Sequence, residues 1–109
     1  MDERTDQKVI ISLIRKYLKL LRQKNILFDK AYLFGSHAMG NAEEESDIDL
    51  AIIAEDWKPD IFDAQFELMK IAKKVDTRIE PHLFRKEDFE NGNPLIQEIM
   101  KVAKAISDS

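Results

Sequence analysis

From about Arg4 to Lys24, apolar side chains recur three and four residues apart, at Val9, Ile10, Leu13, Ile14, Tyr17, Leu18 and Leu21. That spacing gathers them on one face of a helix. Arg15, Lys16, Lys19 and Arg22 take much of the remaining surface, and Asn25 is the expected stop. From Lys30 to Gly35 a short apolar run ends in Gly-Ser, the pattern of a strand closing in a turn. His37 to Ser46 is polar, with Gly40, Asn41 and three successive glutamates, and predicts a loop or a short helix. Asp47 to Ala54 is rich in Ile and Leu and predicts a second strand. Pro59 and Asp60 suit a helix start. Ile61, Phe62, Phe66, Met69, Ile71 and Ala72 then predict an amphipathic helix to about Lys74. Thr77 to Phe84 predicts a third strand, and Pro81 within it, having no N–H, places that strand at an edge or a bulge. Asn91 to Pro94 reads as a turn before a last helix, with Leu95, Ile96, Ile99, Met100, Val102, Ala103 and Ile106 as its apolar positions. The order α-β-β-α-β-α predicts a small α/β (α+β) domain, with helices packed on a three- or four-stranded mixed sheet.

The chain has 109 residues, 44% hydrophobic and 35% charged, which suits one domain over residues 1–109 with a single modest core. A partner helix or subunit would add useful burial to so small a domain, so a homo- or hetero-oligomer is compatible with the sequence. The formal net charge of −4 gives no general attraction to polyanions, so direct nucleic-acid binding is not expected. A phosphate-bearing ligand has to be met locally, with the help of a cation. The absence of cysteine excludes disulfides and thiolate metal sites. With no signal-peptide core and no membrane-length apolar run, the expected location is the cytoplasm.

The candidate chemistry lies between Leu33 and Leu50. Gly35 permits positive φ and close approach of a ligand to the backbone, and Ser36 adds a hydroxyl and an N–H. If a short helix follows, its free N–H groups face an anion, a suitable cradle for terminal phosphates. Asp47 and Asp49 share one face of the predicted strand, about 6–7 Å apart along it, while Ile48 and Leu50 point to the core. Two such carboxylates repel, and a hard divalent cation such as Mg²⁺ offsets the repulsion while bridging to phosphate oxygens. Glu80 lies between apolar neighbours in the third strand and reaches the same cation if that strand lies beside the second. Asp76 has the same parity and competes with it; Arg78 and His82 flank Glu80 on its face. Trp57, after the second strand, is assigned to core capping before base stacking.

Phe34-Gly35-Ser36, ten intervening residues and then Asp47-Ile48-Asp49-Leu50 resemble the motif of the DNA polymerase beta-like nucleotidyltransferase superfamily. Gly35-Ser36-His37-Ala38-Met39-Gly40, with Ser46 before Asp47, is similar to its minimal nucleotidyltransferases. The resemblance implies that Gly35 and Ser36 hold the β- and γ-phosphates of ATP or another nucleoside triphosphate. It implies that Asp47 and Asp49 bind two Mg²⁺ ions, and that Glu80 is the third acid, helping to hold one metal and to draw the proton from an acceptor hydroxyl. Many relatives carry arginine where His37 and Met39 stand. His37 replaces one of them in part, as a hydrogen-bond donor. The implied reaction is transfer of a nucleoside monophosphate, AMP from ATP in the leading case. The implied acceptor is a helical HEPN-domain protein, with this chain as the antitoxin of a toxin–antitoxin pair. A second reading keeps the fold without the chemistry, as a module that neutralises its partner by contact.

Overall fold

A computed structural model describes residues 6–55 and 61–107 of the chain. Trp57, Pro59 and Asp60 lie outside the described residues, and with them the expected helix start and core cap.

The first helix, α1, spans Gln7–Gln23. It starts three residues later than the periodicity suggests, because the Asp6 side chain accepts from the Lys8 N–H at 2.8 Å and caps it. It ends where Asn25 turns left-handed at φ 61°, letting the Ile26 N–H reach the Leu21 carbonyl at 2.9 Å. Ile10, Ile14, Tyr17, Leu18 and Leu21 are wholly buried, each worth roughly 1.5–3 kcal/mol for its side chain.

Strand β1 (Lys30–Phe34) leads into the single-turn helix α2 (Ser36–Met39). Strand β2 (Ile48–Ala54) follows the polar spacer, and helix α3 (Ile61–Val75) carries the chain over to β3 (Ile79–Arg85). With a short last strand, β4 (Lys104–Ala105), the sheet order is β3-β2-β1-β4, with β1 antiparallel to β2 and β4, and β2 parallel to β3. The parallel pair requires a crossover, which α3 provides. Pro81 lies on an edge strand, as its missing N–H demands.

The end of the chain differs from the sequence pattern. A five-residue helix α4 (Lys86–Glu90) precedes α5, which covers only Pro94–Met100; Lys104–Ala105 then forms β4 against Tyr32 and Leu33. Val102 therefore lies in a turn, and Ala103 and Ile106 flank β4, rather than belonging to a helix. Pairing satisfies the open edge of β1, and the Ile106 N–H adds a bond to the Ala31 carbonyl at 2.9 Å.

The alternation of strand side chains divides the sheet into two unequal faces. Leu33, Ile48, Leu50, Ile52 and Ile79 pack with α1 and α3 into the main core. The opposite face holds a smaller cluster around Tyr32, Ala51 and Ile53, covered by Phe34, Phe84, Phe89 and Met100. Among the described residues no helix is long and apolar enough to cross a membrane.

Candidate active site

The acids stand on the thinner face of the sheet, at one end. Asp49 registers with Phe34 on one side and with Glu80 on the other. Their side chains therefore project from one face. Neighbouring strands are about 4.8 Å apart, so Asp49 and Glu80 are close enough for one ligand to meet both. Asp47 immediately precedes β2 and is exposed, two residues from Asp49.

Gly35 follows β1 at φ 73° and ψ −156°, a conformation open essentially to glycine alone. A Cβ at this position would collide with Asp49 Oδ2. The glycine thus serves two needs, the turn into α2 and the room for a carboxylate. Its carbonyl accepts from Ala38 and Met39 at 3.1 Å each. The first N–H groups of a helix have no acceptor within it, so Ser36 and His37 offer main-chain donors beside Asp49.

Other side chains engage the acids. His82 Nε2 lies 3.3 Å from Asp49 Oδ1. Lys73 Nζ lies 3.5 Å from Glu80 Oε2 and donates to the Thr77 and Ile79 carbonyls at 2.7 and 3.1 Å. Asp76, the competitor of Glu80, is engaged elsewhere. Its carboxylate accepts from the Arg78 guanidinium at 3.0 and 3.1 Å and from the Arg78 N–H at 2.9 Å. Arg78 is 5% exposed and also donates to the Glu44 carbonyl at 3.2 Å, fastening the spacer loop. It does not share the open face with Glu80 and His82, since that ion pair takes it inward.

His37 also differs from the sequence expectation. It is wholly buried, with Nε2 3.3 Å from the Ser46 carbonyl and Nδ1 buried without a hydrogen-bond partner. In this conformation its ring braces the residue before Asp47 and does not present a donor to a solvent-borne phosphate. Met39 is exposed. The turn after Gly35 therefore offers main-chain N–H groups and the Ser36 hydroxyl. The Arg78–Asp76 pair, and Lys73 as the lysine that meets Glu80, have no local signal in the sequence. Helical periodicity puts Lys73 on the polar face of α3, and nothing local shows that its long stem reaches around the edge strand.

Among the described residues, no three His, Asp or Glu side chains converge into a metal cage. The donor set nevertheless suits Mg²⁺. Asp49 presents a hard oxygen into the space left by the missing Cβ of Gly35, with Glu80 alongside. Mg²⁺ takes only one or two protein carboxylates and completes its shell with phosphate oxygens and water, so an open platform fits it better than a cage.

The model of the polymerase beta nucleotidyltransferase family matches residues 14–109. The chain belongs to this family. It is 38% identical over 66 residues to the protein adenylyltransferase MntA of Shewanella oneidensis, covering 60% of this chain and 46% of that protein. It thus spans less than half the length of that relative. It is 34% identical over 85 residues to a candidate protein adenylyltransferase of Methanocaldococcus jannaschii, covering 71% of this chain and 81% of the other. Among solved structures it is similar to a toxin–antitoxin crystallised with AMP-PNP, at 26% identity and a TM-score of 0.60, over 87% of this chain and 73% of that one. The family agrees with the motif read from Gly35-Ser36 and Asp47-Ile48-Asp49, and the mixed four-stranded sheet agrees with the fold class.

Proposed function

We propose that this chain is a single-domain cytoplasmic nucleotidyltransferase that moves AMP from ATP to a hydroxyl of a partner protein. The approach of Gly35, just after β1, to Asp49 on β2, with Glu80 beside Asp49 on β3, carries the reading. In this reading Gly35 opens the phosphate turn, Asp49 is a metal ligand and Glu80 is the proton acceptor. The relatives named as protein adenylyltransferases support a protein acceptor, and the AMP-PNP complex supports ATP as donor. The toxin–antitoxin neighbour supports a partner toxin, for which a helical HEPN-domain protein is the specific proposal.

In this reading the Ser36 and His37 N–H groups and the Ser36 hydroxyl hold the β- and γ-phosphates. Asp47 and Asp49 would hold two Mg²⁺ ions, which would supply charge neutralisation to the reacting phosphoryl group. Glu80, released from Lys73, would help hold one metal, and takes the proton of the acceptor hydroxyl as its oxygen bonds to the α-phosphorus. The bond from the α-phosphorus to the bridging oxygen breaks and pyrophosphate leaves. The protein supplies position and preorganised charge rather than a covalent step.

The inward turn of His37 favours a second reading, a fold-only module that neutralises its partner by contact, because the phosphate turn then lacks a cationic side chain. One experiment separates the two. The chain, Mg²⁺, labelled ATP and the protein encoded beside it are mixed, and the partner's mass is measured. A gain of one AMP that disappears with Asp47→Asn/Asp49→Asn is the expected result. Transfer that survives the double substitution removes these aspartates from catalysis, and tight binding without transfer selects the contact module.

A further inference from the structure

We infer that His82 is a positioning residue for Asp49, holding one carboxylate oxygen so that the other faces the Gly35 turn. The inference rests on the metal-dependent reading above and adds a residue outside the family motif.

The parallel register sets His82 opposite Ala51, one pair along from Asp49 and Glu80 on the same face. Ala51 ends at a methyl group, so the imidazole has room to lean back toward Asp49. Nε2 stands 3.3 Å from Asp49 Oδ1. A carboxylate only accepts, so this contact assigns the proton to Nε2. The ring is braced from β1 by Phe34, with ring centres 5.3 Å apart and planes at 57°. Asp49 Oδ2 is turned the other way, against Gly35.

Rotation about the last bond of an aspartate is broad and nearly two-fold, so an unassisted carboxylate exchanges its oxygens freely. With Oδ1 engaged, the carboxylate keeps one orientation and shows a single oxygen to the phosphate turn. Phe34, His82 and Asp49 form a chain in which an apolar wall fixes a ring and the ring fixes a ligand. Hydrogen-bond partners of metal ligands typically govern affinity by 10–100-fold.

The test uses the full chain and Mn²⁺ as probe, followed through the electron paramagnetic resonance of the free ion. His82→Leu is expected to weaken Mn²⁺ binding by about 10–100-fold. His82→Gln, which keeps an N–H near the Nε2 position, is expected to restore most of it. A long-range ¹H–¹⁵N spectrum of the imidazole is expected to show a proton on Nε2 and to change with Asp49→Leu. Equal Mn²⁺ affinity in wild type and His82→Leu overturns the inference, and so does failure of His82→Gln to recover what His82→Leu loses. If wild type binds no Mn²⁺ at all, the metal reading fails by itself. The imidazole spectrum then decides the His82–Asp49 contact alone: a Nε2 proton sensitive to Asp49→Leu upholds it, and an insensitive ring overturns it.

Discussion

Replacing Gly35 with alanine tests the centre of the site, because two separable penalties meet at one atom. The backbone at 73°, −156° lies where a side chain is strained by roughly 1–3 kcal/mol. The added Cβ also collides with Asp49 Oδ2, so the carboxylate or the turn must move. In a domain of this size 1 kcal/mol lowers the melting temperature by about 4 °C, so the backbone penalty alone is a fall of roughly 4–12 °C. The collision is isolated by a double-mutant cycle with Asp49→Ala, followed by urea denaturation. In the Asp49→Ala background the collision is gone and only the backbone penalty remains. Gly35→Ala should therefore cost less there, with a coupling of about 0.5–3 kcal/mol, the range for residues in contact. Equal losses in both backgrounds would refute the placement of Asp49 against the turn. No loss in either would refute the left-handed backbone itself.

Two further substitutions probe the supports of the site. Arg78→Met leaves Asp76 without its guanidinium and should destabilise the fold by about 3 kcal/mol, the cost of breaking a largely buried ion pair. Because the Glu44 carbonyl also loses its donor, amide hydrogen exchange over residues 41–47 should accelerate more than in α1; unchanged exchange there would disprove the fastening. Tyr17 is buried and donates to the Leu68 carbonyl at 2.9 Å, and burial raises its phenol above the ordinary range. The folded chain keeps this proton at a pH where the unfolded chain, near 10, has lost it, so this contribution to stability falls as pH climbs above roughly 10. Tyr17→Phe should cost about 0.5–1.5 kcal/mol at neutral pH and flatten the alkaline decline in urea midpoint; parallel declines in the two proteins would disprove the linkage.

The parts of the site that could be read from the sequence are those governed by strand alternation. Asp49 and Glu80 project from one face and Ile48 and Leu50 from the other because the period of a strand is two, whatever the surroundings. The first helix was equally legible, since seven apolar positions agree on one face. What the sequence did not show depends on distant partners. Residues 101–106 carry helix-like apolar spacing, yet the edge of β1 draws Lys104 and Ala105 into a strand. The short α4 has no apolar repeat to announce it; its Phe89 is placed by stacking on Tyr32 at 5.7 Å. His37 is polar and sits in a polar stretch, so only the packing of α2 beneath the spacer shows it to be internal. Arg78 has the parity of Glu80 but precedes β3, and Asp76 decides where it goes.

The division of each strand between core and chemistry bears on how such a domain tolerates changes in length. Within β2 a one-residue insertion would exchange the two sets of side chains, sending Asp49 toward α1 and α3 and Ile48 into water. The spacer between Gly40 and Asp47 has no such parity. Two of its carbonyls are tied, Ser46 by His37 and Glu44 by Arg78, and the Ser46 hydroxyl accepts from the Glu43 N–H, so these ties lie from Glu43 onward. Residues can be added or removed before Glu43 without renumbering the faces of the sheet. A library of loop lengths inserted there would therefore vary what surrounds the Gly35 turn while leaving the acids in register.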